Sequence, residues 1–216
     1  EIYTLSLHDA LPICQVWNIL LDKTSADARA TAGNSQYSLE GAVYGVYKGD
    51  SLVARITTDA DGHGTTDTRL PDGTYTVREM DAPAVYALSD EAKTVVIDGA
   101  DASVGAEDAS VTVRLVLVKK DSETGEAAPQ GAATLDGAEY EATYACDGGT
   151  KTARGTTGGA RIVFEGTPLG AVTVRETRAP EGCPPDTEEH VLTVTAETAG
   201  HEAVFEPNLA DRKSVV

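Results

Sequence analysis

One unit is written twice in this chain, and that repetition limits the folds open to it. LPDGTYTVREMDAP (Leu70 to Pro83) is echoed by PLGAVTVRETRAP (Pro168 to Pro180), each with TVRE and then Ala-Pro two residues later. Upstream, LEGAVYGVY (Leu39 to Tyr47) matches LDGAEYEATY (Leu135 to Tyr144), and WNILLDK, ending at Lys23, matches RLVLVKK around Lys119. The intervals agree as well as the letters. Lys23 to Gly41 and Lys119 to Gly137 both span 18 residues, and the lysine-to-glutamate intervals ending at Glu79 and Glu176 are 56 and 57. Self-similarity at a fixed period implies one structural unit used twice.

Each copy reads as short strands. Alternating apolar and polar residues, β-branched side chains and frequent Gly, Asp and Pro recur, and no long stretch has a helical apolar period. DADGHG (Asp59 to Gly64) and LPDG (Leu70 to Gly73) are hairpin and turn signals. The economical architecture is all-β, a two-layer antiparallel sandwich for each copy. The expected domains are residues 15–109 and 110–210, with the boundary near Ala109, where the last strand of one unit leads into the first of the next.

The ends have a different origin. His8 to Ile13 can be encoded as CAC GAC GCT CTT CCG ATC, whose reverse complement translates as Asp-Arg-Lys-Ser-Val-Val, the last six residues of the chain. Leu7 encoded as CTA becomes a stop codon directly after Val216. Both strings resemble a common short-read sequencing adapter, so residues 1–14 and 211–216 are expected to be non-native, with the Cys14 codon straddling the join. The opening segment has no basic n-region, long apolar run or small-residue cleavage site, so it does not read as a secretory signal.

The whole chain has 17 basic and 35 acidic residues, a net charge of −18. Without Glu1, Asp9, Asp211, Arg212 and Lys213 the balance is 15 to 32, or −17. Such a surface repels phosphate backbones and anionic membranes, which argues against a nucleic-acid or membrane partner. Cys146 and Cys183 are too few for a disulfide framework or a metal cluster. They are either two unrelated thiols or one disulfide within the second repeat.

Side-chain parity singles out the charged residues that matter. Alternate residues of a strand face one layer. Trp17, Ile19, Leu21 and Lys23 share a face, as do Val113, Leu115, Leu117 and Lys119. Tyr75, Val77 and Glu79 share another, matched by Val172, Val174 and Glu176. Both copies therefore end an apolar stripe with a lysine and a glutamate, and lone buried charges are costly. Either each pair sits at a sandwich rim, solvated or as an ordinary salt bridge, or the site is covalent. In the covalent reading, a desolvated lysine amine loses its proton and becomes a nucleophile. A buried, protonated glutamate then activates an Asn or Asp carbonyl for amide formation.

KKDSETG (Lys119 to Gly125), GAVYGVY, TTDADG, LPDGTYTVRE and RETRAPEG together resemble the collagen-adhesin B-type (Cna B-type, SpaA-like) domains of Gram-positive surface proteins and pilins. The resemblance covers nearly all of residues 15–210. It implies a prealbumin-like Greek-key sandwich, in many members carrying an intramolecular isopeptide bond from a first-strand Lys to a last-strand Asn or Asp beside a catalytic Glu. Carried over, it implies Lys119, Glu176 and Asn208 in the second repeat, and Lys23, Glu79 and Asp108 in the first. Asp108 shares parity with Val104 and Ala106. The first repeat departs from the family pattern at KTSADARAT, which lacks the Thr-Gly turn, and at DAPAVY. In the second, Asn208 shares parity with Glu206 rather than with Phe205, so a bulge at Pro207 is needed.

An enzyme finds little support. His63, His190 and His201 lie in no HExxH, and neither a G-x-S-x-G nor a phosphate loop is present. A calcium loop starting at Asp59 needs a bidentate Glu where Leu70 stands, so a plain turn is expected. Glu188, Glu189 and His190 are strand neighbours and cannot converge on a metal, and Ala153 to Arg161 reads as a solvated hairpin. No metal or cofactor is expected. The resemblance implies structural stalk or adhesin modules of an extracellular, cell-wall-anchored protein or pilin, partnered by neighbouring repeats of the same chain. The alternative is an adhesin region whose repeats themselves contact a host matrix protein or glycan.

Overall fold

The computed structural model describes residues 15–121, 124–146 and 149–198, together with the backbone of Glu202–Phe205. The two end segments and Asn208 lie outside the described residues. By packing, the chain forms two compact units, residues 15–24, 39–83 and 88–108 in the first, and 25–38, 84–87 and those from 109 onwards in the second.

The first unit is all strand: β1 (Val16–Trp17), β2 (Ile19–Ser25), β3 (Val43–Lys48), β4 (Ser51–Thr58), β5 (His63–Thr66), β6 (Leu70–Pro71), β7 (Gly73–Asp81), β8 (Ala92–Ile97) and β9 (Ala102–Asp108). Seven strands form a sheet in the order β8-β7-β3-β4-β5-β2-β9, and β1 pairs β6 separately. The outermost strands, β8 and β9, come back into contact and fold the sheet around one core. Burial follows the alternation expected of half-buried strands. In β2, Ile19, Leu21 and Lys23 are buried while Leu20 and Asp22 face solvent. Ile19, Val46, Ile56, Tyr75 and Val77 meet in a single apolar cluster. Each such side chain, fully buried, contributes about 1.5–3 kcal/mol.

DADGHG is a turn, as its composition requires. Asp59 accepts hydrogen bonds from the Asp61 and His63 amides at 3.0 and 2.9 Å, which satisfies the backbone without an ion. Gly62 has a left-handed φ of +86°, and its carbonyl accepts from the Lys23 amide at 2.9 Å. A Cβ on Gly62 would lie 2.2 Å from the Lys23 carbonyl oxygen. This close approach fixes the backbone from which the Lys23 side chain enters the core.

The second unit contains β10 (Val113–Val118), β11 (Glu139–Cys146), β12 (Gly149–Thr156), β13 (Arg161–Thr167), β14 (Gly170–Arg178), β15 (Glu189–Val194) and β16 (Glu202–Phe205). They form a sandwich of a three-stranded sheet, β13-β10-β16, and a four-stranded sheet, β12-β11-β14-β15. β16 runs parallel to β10, with Leu117 opposite Phe205. Strand β10 loses its alternation, because Val116 and Val118 are as buried as Leu115 and Leu117. The hairpin expected at Ala153 to Arg161 is instead a crossing between sheets: Ala153 to Thr156 end β12, paired with β11, and a turn with a Gly158–Arg161 bridge leads into β13 of the other sheet.

Residues 25–38, with the one-turn helix α1 (Ala28–Thr31), pack within this second unit. The Tyr37 hydroxyl donates to the Val111 carbonyl at 2.9 Å and accepts from the Leu169 amide at 3.0 Å. The Asp27 carboxylate accepts from both the amide and the hydroxyl of Ser110. Where KTSADARAT lacks the Thr-Gly turn of the other repeat, the chain makes this helical detour instead.

Gly62→Ala should lower stability in chemical denaturation by about 1–3 kcal/mol. Gly99→Ala, also left-handed but with open space around its Cβ position, should cost only the backbone preference, about 1 kcal/mol.

Candidate functional site

The two apolar stripes of the first unit converge on Lys23. Its side chain is completely buried, and Nζ donates to Glu79 Oε1 at 2.9 Å, to the Tyr44 hydroxyl at 2.9 Å and to Asp108 Oδ2. Three different strands deliver these partners. Lys23 lies on β2, Glu79 on β7 and Asp108 at the end of β9, which hydrogen-bonds β2 along the sheet edge. Glu79 is held from its other side, where Oε2 accepts from the Ser89 amide at 2.9 Å. Asp108 Oδ1 is buried without a hydrogen-bond partner.

The electrostatics reverse one expectation. Burial pushes the Lys23 amine down, as desolvation must, but Asp108, Tyr44 and Glu79 more than offset it and leave it above the ordinary lysine value. Apolar neighbours alone would have lowered it; two acids and a phenol in contact do not. Asp108 is shifted the other way from a typical ion-paired acid. Burial raises its pKa against the opposing pull of Lys23, and Glu79 raises it further. Burial and Glu79 thus favour the protonated form of Asp108, in direct contact with the Lys23 ammonium that opposes it.

The second unit repeats the arrangement. Lys119 Nζ donates to Glu176 Oε1 at 2.9 Å and to the Tyr140 hydroxyl at 3.2 Å, and both charged groups are buried. Glu176 Oε2 accepts from the Asp186 amide at 2.7 Å, the counterpart of the Ser89 contact. Asp186 in turn meets His190 Nε2 at 2.7 Å. Parallel pairing carries β16 along β10 in the direction of Lys119. The expected acceptor, Asn208, lies outside the described residues.

Tyr44 and Tyr140 were not singled out by parity. The signal was present, since GAVY and GAEY put a tyrosine 21 residues after each lysine. Burial pushes the Tyr44 phenol up to about 12, partly opposed by Lys23. Burial raises Tyr140 too, reinforced by Glu176. Both are neutral hydroxyls at physiological pH.

Among the described residues Cys146 and Cys183 form no disulfide. Cys146 ends β11 at the edge where Tyr144 faces Val172, whereas Cys183 follows the far end of β14, where Arg178 faces Glu139. Some seven strand residues, about 23 Å, separate the two ends, and a disulfide needs Cα atoms within about 7 Å. The Cys183 thiol instead donates to the Thr134 carbonyl at 3.5 Å. His63 forms an exposed pair with Asp22 at 3.2 Å. Among the described residues no group of His, Cys, Asp and Glu is arranged to hold a metal.

Each all-β unit thus buries a lysine and a glutamate together at the end of its apolar stripes. Residues 26–110 match the model of the SpaA prealbumin-like fold domain. No curated protein matches the sequence. Among solved structures, the TIE protein of Bacillus anthracis aligns at 23% identity with a TM-score of 0.58, covering 89% of this chain and 33% of that one. The pilus adhesin SpaC of Lactobacillus rhamnosus GG aligns at 14% identity and a TM-score of 0.43, over 83% of this chain and 26% of its own. The shaft pilin SpaA of the same organism gives 17% and 0.36, over 89% and 98%. The chain spans a third of the length of the TIE protein, whose likeness is one of fold. Among the described residues no helix is long and apolar enough to cross a membrane.

A spectrophotometric titration of the phenols near 295 nm should show one group that ionises near pH 12 and is absent in Tyr44→Phe. The unfolded phenol ionises near pH 10, so the unfolded chain gives up this proton first. The stability tied to Tyr44 is therefore complete below about pH 10 and is lost as pH rises towards 12.

Proposed function

We propose that the chain is a stalk or adhesin segment of a Gram-positive cell-surface protein, whose repeats, residues 15–109 and 110–210, lock themselves with intramolecular amide bonds. The observation that carries this reading is the contact of Lys23 Nζ with Asp108 Oδ2 in a fully buried site beside Glu79. An ordinary ion pair gains little from such burial, since apolar replacements of similar volume are often as stable.

The chemistry balances within the site. The Lys23 ammonium passes a proton to the Asp108 carboxylate, giving an amine and a carboxylic acid with no change in total charge. The amine lone pair attacks Cγ of Asp108 and the C–N bond forms. Glu79, within reach of Nζ, takes the second amine proton and returns it to the leaving oxygen. The C–O bond breaks, one water leaves, and Glu79 ends as it began. In the second repeat Lys119 and Glu176 would act on Asn208, with ammonia as the leaving group. Each reaction happens once and on the chain itself, so no external substrate or turnover is involved.

The mechanical consequence follows from where the bond sits. It joins the first long strand of the repeat to the last and closes a loop of 85 residues. By analogy with a disulfide, such a loop constrains the unfolded state by about 4–5 kcal/mol. Tension entering at β2 passes through the amide to the end of β9 without unzipping the strands between. That property suits a surface stalk made of such repeats in series.

Intact-mass spectrometry of the full chain tests the reading. The wild type should be lighter than its sequence mass by about 18 Da for the Asp bond and about 17 Da for the Asn bond. Lys23→Ala, Asp108→Ala and Glu79→Gln should each restore the 18 Da, and Lys119→Ala the 17 Da. Full sequence mass in the folded wild type would contradict the proposal.

A further inference from the structure

The proposed reaction needs its amine aimed as well as deprotonated, and one residue in each repeat is built to aim it. We propose that Tyr44 and Tyr140 are positioning residues that hold the lysine amine in the orientation from which it attacks. The inference rests on the crosslinking reading and assigns a role in that reaction to a residue outside the lysine, glutamate and acceptor set.

Geometry repeats in both units. Each tyrosine lies directly opposite the site glutamate in the strand register, Tyr44 opposite Glu79 and Tyr140 opposite Glu176. In both pairings the register shifts at the step just before the tyrosine, between Val43 and Tyr44 and between Glu139 and Tyr140. The extra residue, Met80 or Thr177, follows the site glutamate on its own strand, where a bulge re-aims the side chain beside it, and the same irregularity recurs in two copies whose sequences have otherwise diverged. The hydroxyls accept from Nζ at 2.9 and 3.2 Å, and the amines lie 5.3 and 5.7 Å from the ring centroids.

The consequence for Lys23 follows from tetrahedral geometry. Its Nζ directs three N–H groups at Tyr44, Glu79 and Asp108. When the proton facing Asp108 is transferred, the lone pair is left along that same direction, towards the carboxyl group it must attack. The hydrogen bonds to Tyr44 and Glu79 stop the amine from turning about Cε–Nζ and losing this alignment. A neutral phenol suits the task better than a third acid, because it accepts a hydrogen bond without adding a charge that would hold the proton on the amine. Such alignment of a bound nucleophile accounts for large factors in rate.

The full chain, made in a cell-free system, pulse-labelled and quenched into denaturant at intervals, gives the rate of mass loss for each repeat. Tyr44→Phe keeps the ring and removes the hydroxyl. It should fold, as judged by circular dichroism, and lose the 18 Da of the first repeat about tenfold or more slowly than wild type, with the second repeat unaffected. Because the proton moves within the Lys23–Asp108 pair, with no net proton lost, a purely positional slowing should be by the same factor at every pH at which the pair is intact. Tyr140→Phe should give the same result for the 17 Da loss, and it carries the test if Tyr44→Phe does not fold. Wild-type kinetics in both folded variants, or a slowing whose factor changes with pH, would overturn the inference while leaving the crosslinking reading in place. A folded wild type that never loses mass would instead remove the crosslinking reading itself.

Discussion

Everything in the first unit is organised around an ammonium group sealed from water. Lys23 is completely buried, and an isolated charge in that position would be prohibitively costly. It is tolerated because β7 brings Glu79, β9 brings Asp108 and β3 brings Tyr44 to the same point. Those strands are adjacent to β2 or reach it across the core, so the arrangement requires the whole sheet order and not a local motif. The backbone supports the same point, through the left-handed Gly62 packed against the Lys23 carbonyl and the Ser89 amide that fixes Glu79.

The same arrangement bears on the proposed crosslinking. A buried ammonium held above its ordinary pKa is a poor nucleophile, and parity alone predicts the opposite. In the proposed crosslinking the neighbouring Asp108, whose pKa burial raises, is the group that would take the proton. Burial disfavours the charged forms, and only the neutral pair can condense. In that proposal the contact that stabilises the pair is also the first step out of it.

Much of the first site was legible in the sequence. Period-two alternation put Lys23, Glu79, Lys119 and Glu176 on core faces, and the structure buries all four. Asp108 follows from the same rule, since it continues the face of Val104 and Ala106 and is itself buried. The tyrosines lie on the same core faces as Val46 and Ala142, and their common spacing of 21 residues from each lysine marked them, but their contact with the amine depends on strand pairing that no single stretch displays. The direction of the Lys23 shift escaped because it depends on distances to three polar groups. The cysteines were undecidable by count and become plain once the β11–β14 register sets them at opposite ends of a strand pair. The packing of residues 25–38 into the second unit depends on Tyr37 and Asn34 contacts across more than a hundred residues, to Leu169, which no local pattern encodes.

The central claim is that Lys23 and Asp108 become one covalent unit, and peptide mapping addresses that bond itself. An amide at Lys23 removes the positive charge that trypsin recognises, so cleavage there should fail. Tandem mass spectrometry of a digest should then find a branched peptide that joins the β2 segment containing Lys23 to the β9 segment containing Asp108, with fragment ions from both arms. Two separate linear peptides, one of them ending in a cleaved, unmodified Lys23, would show that the buried contact is an ion pair and nothing more.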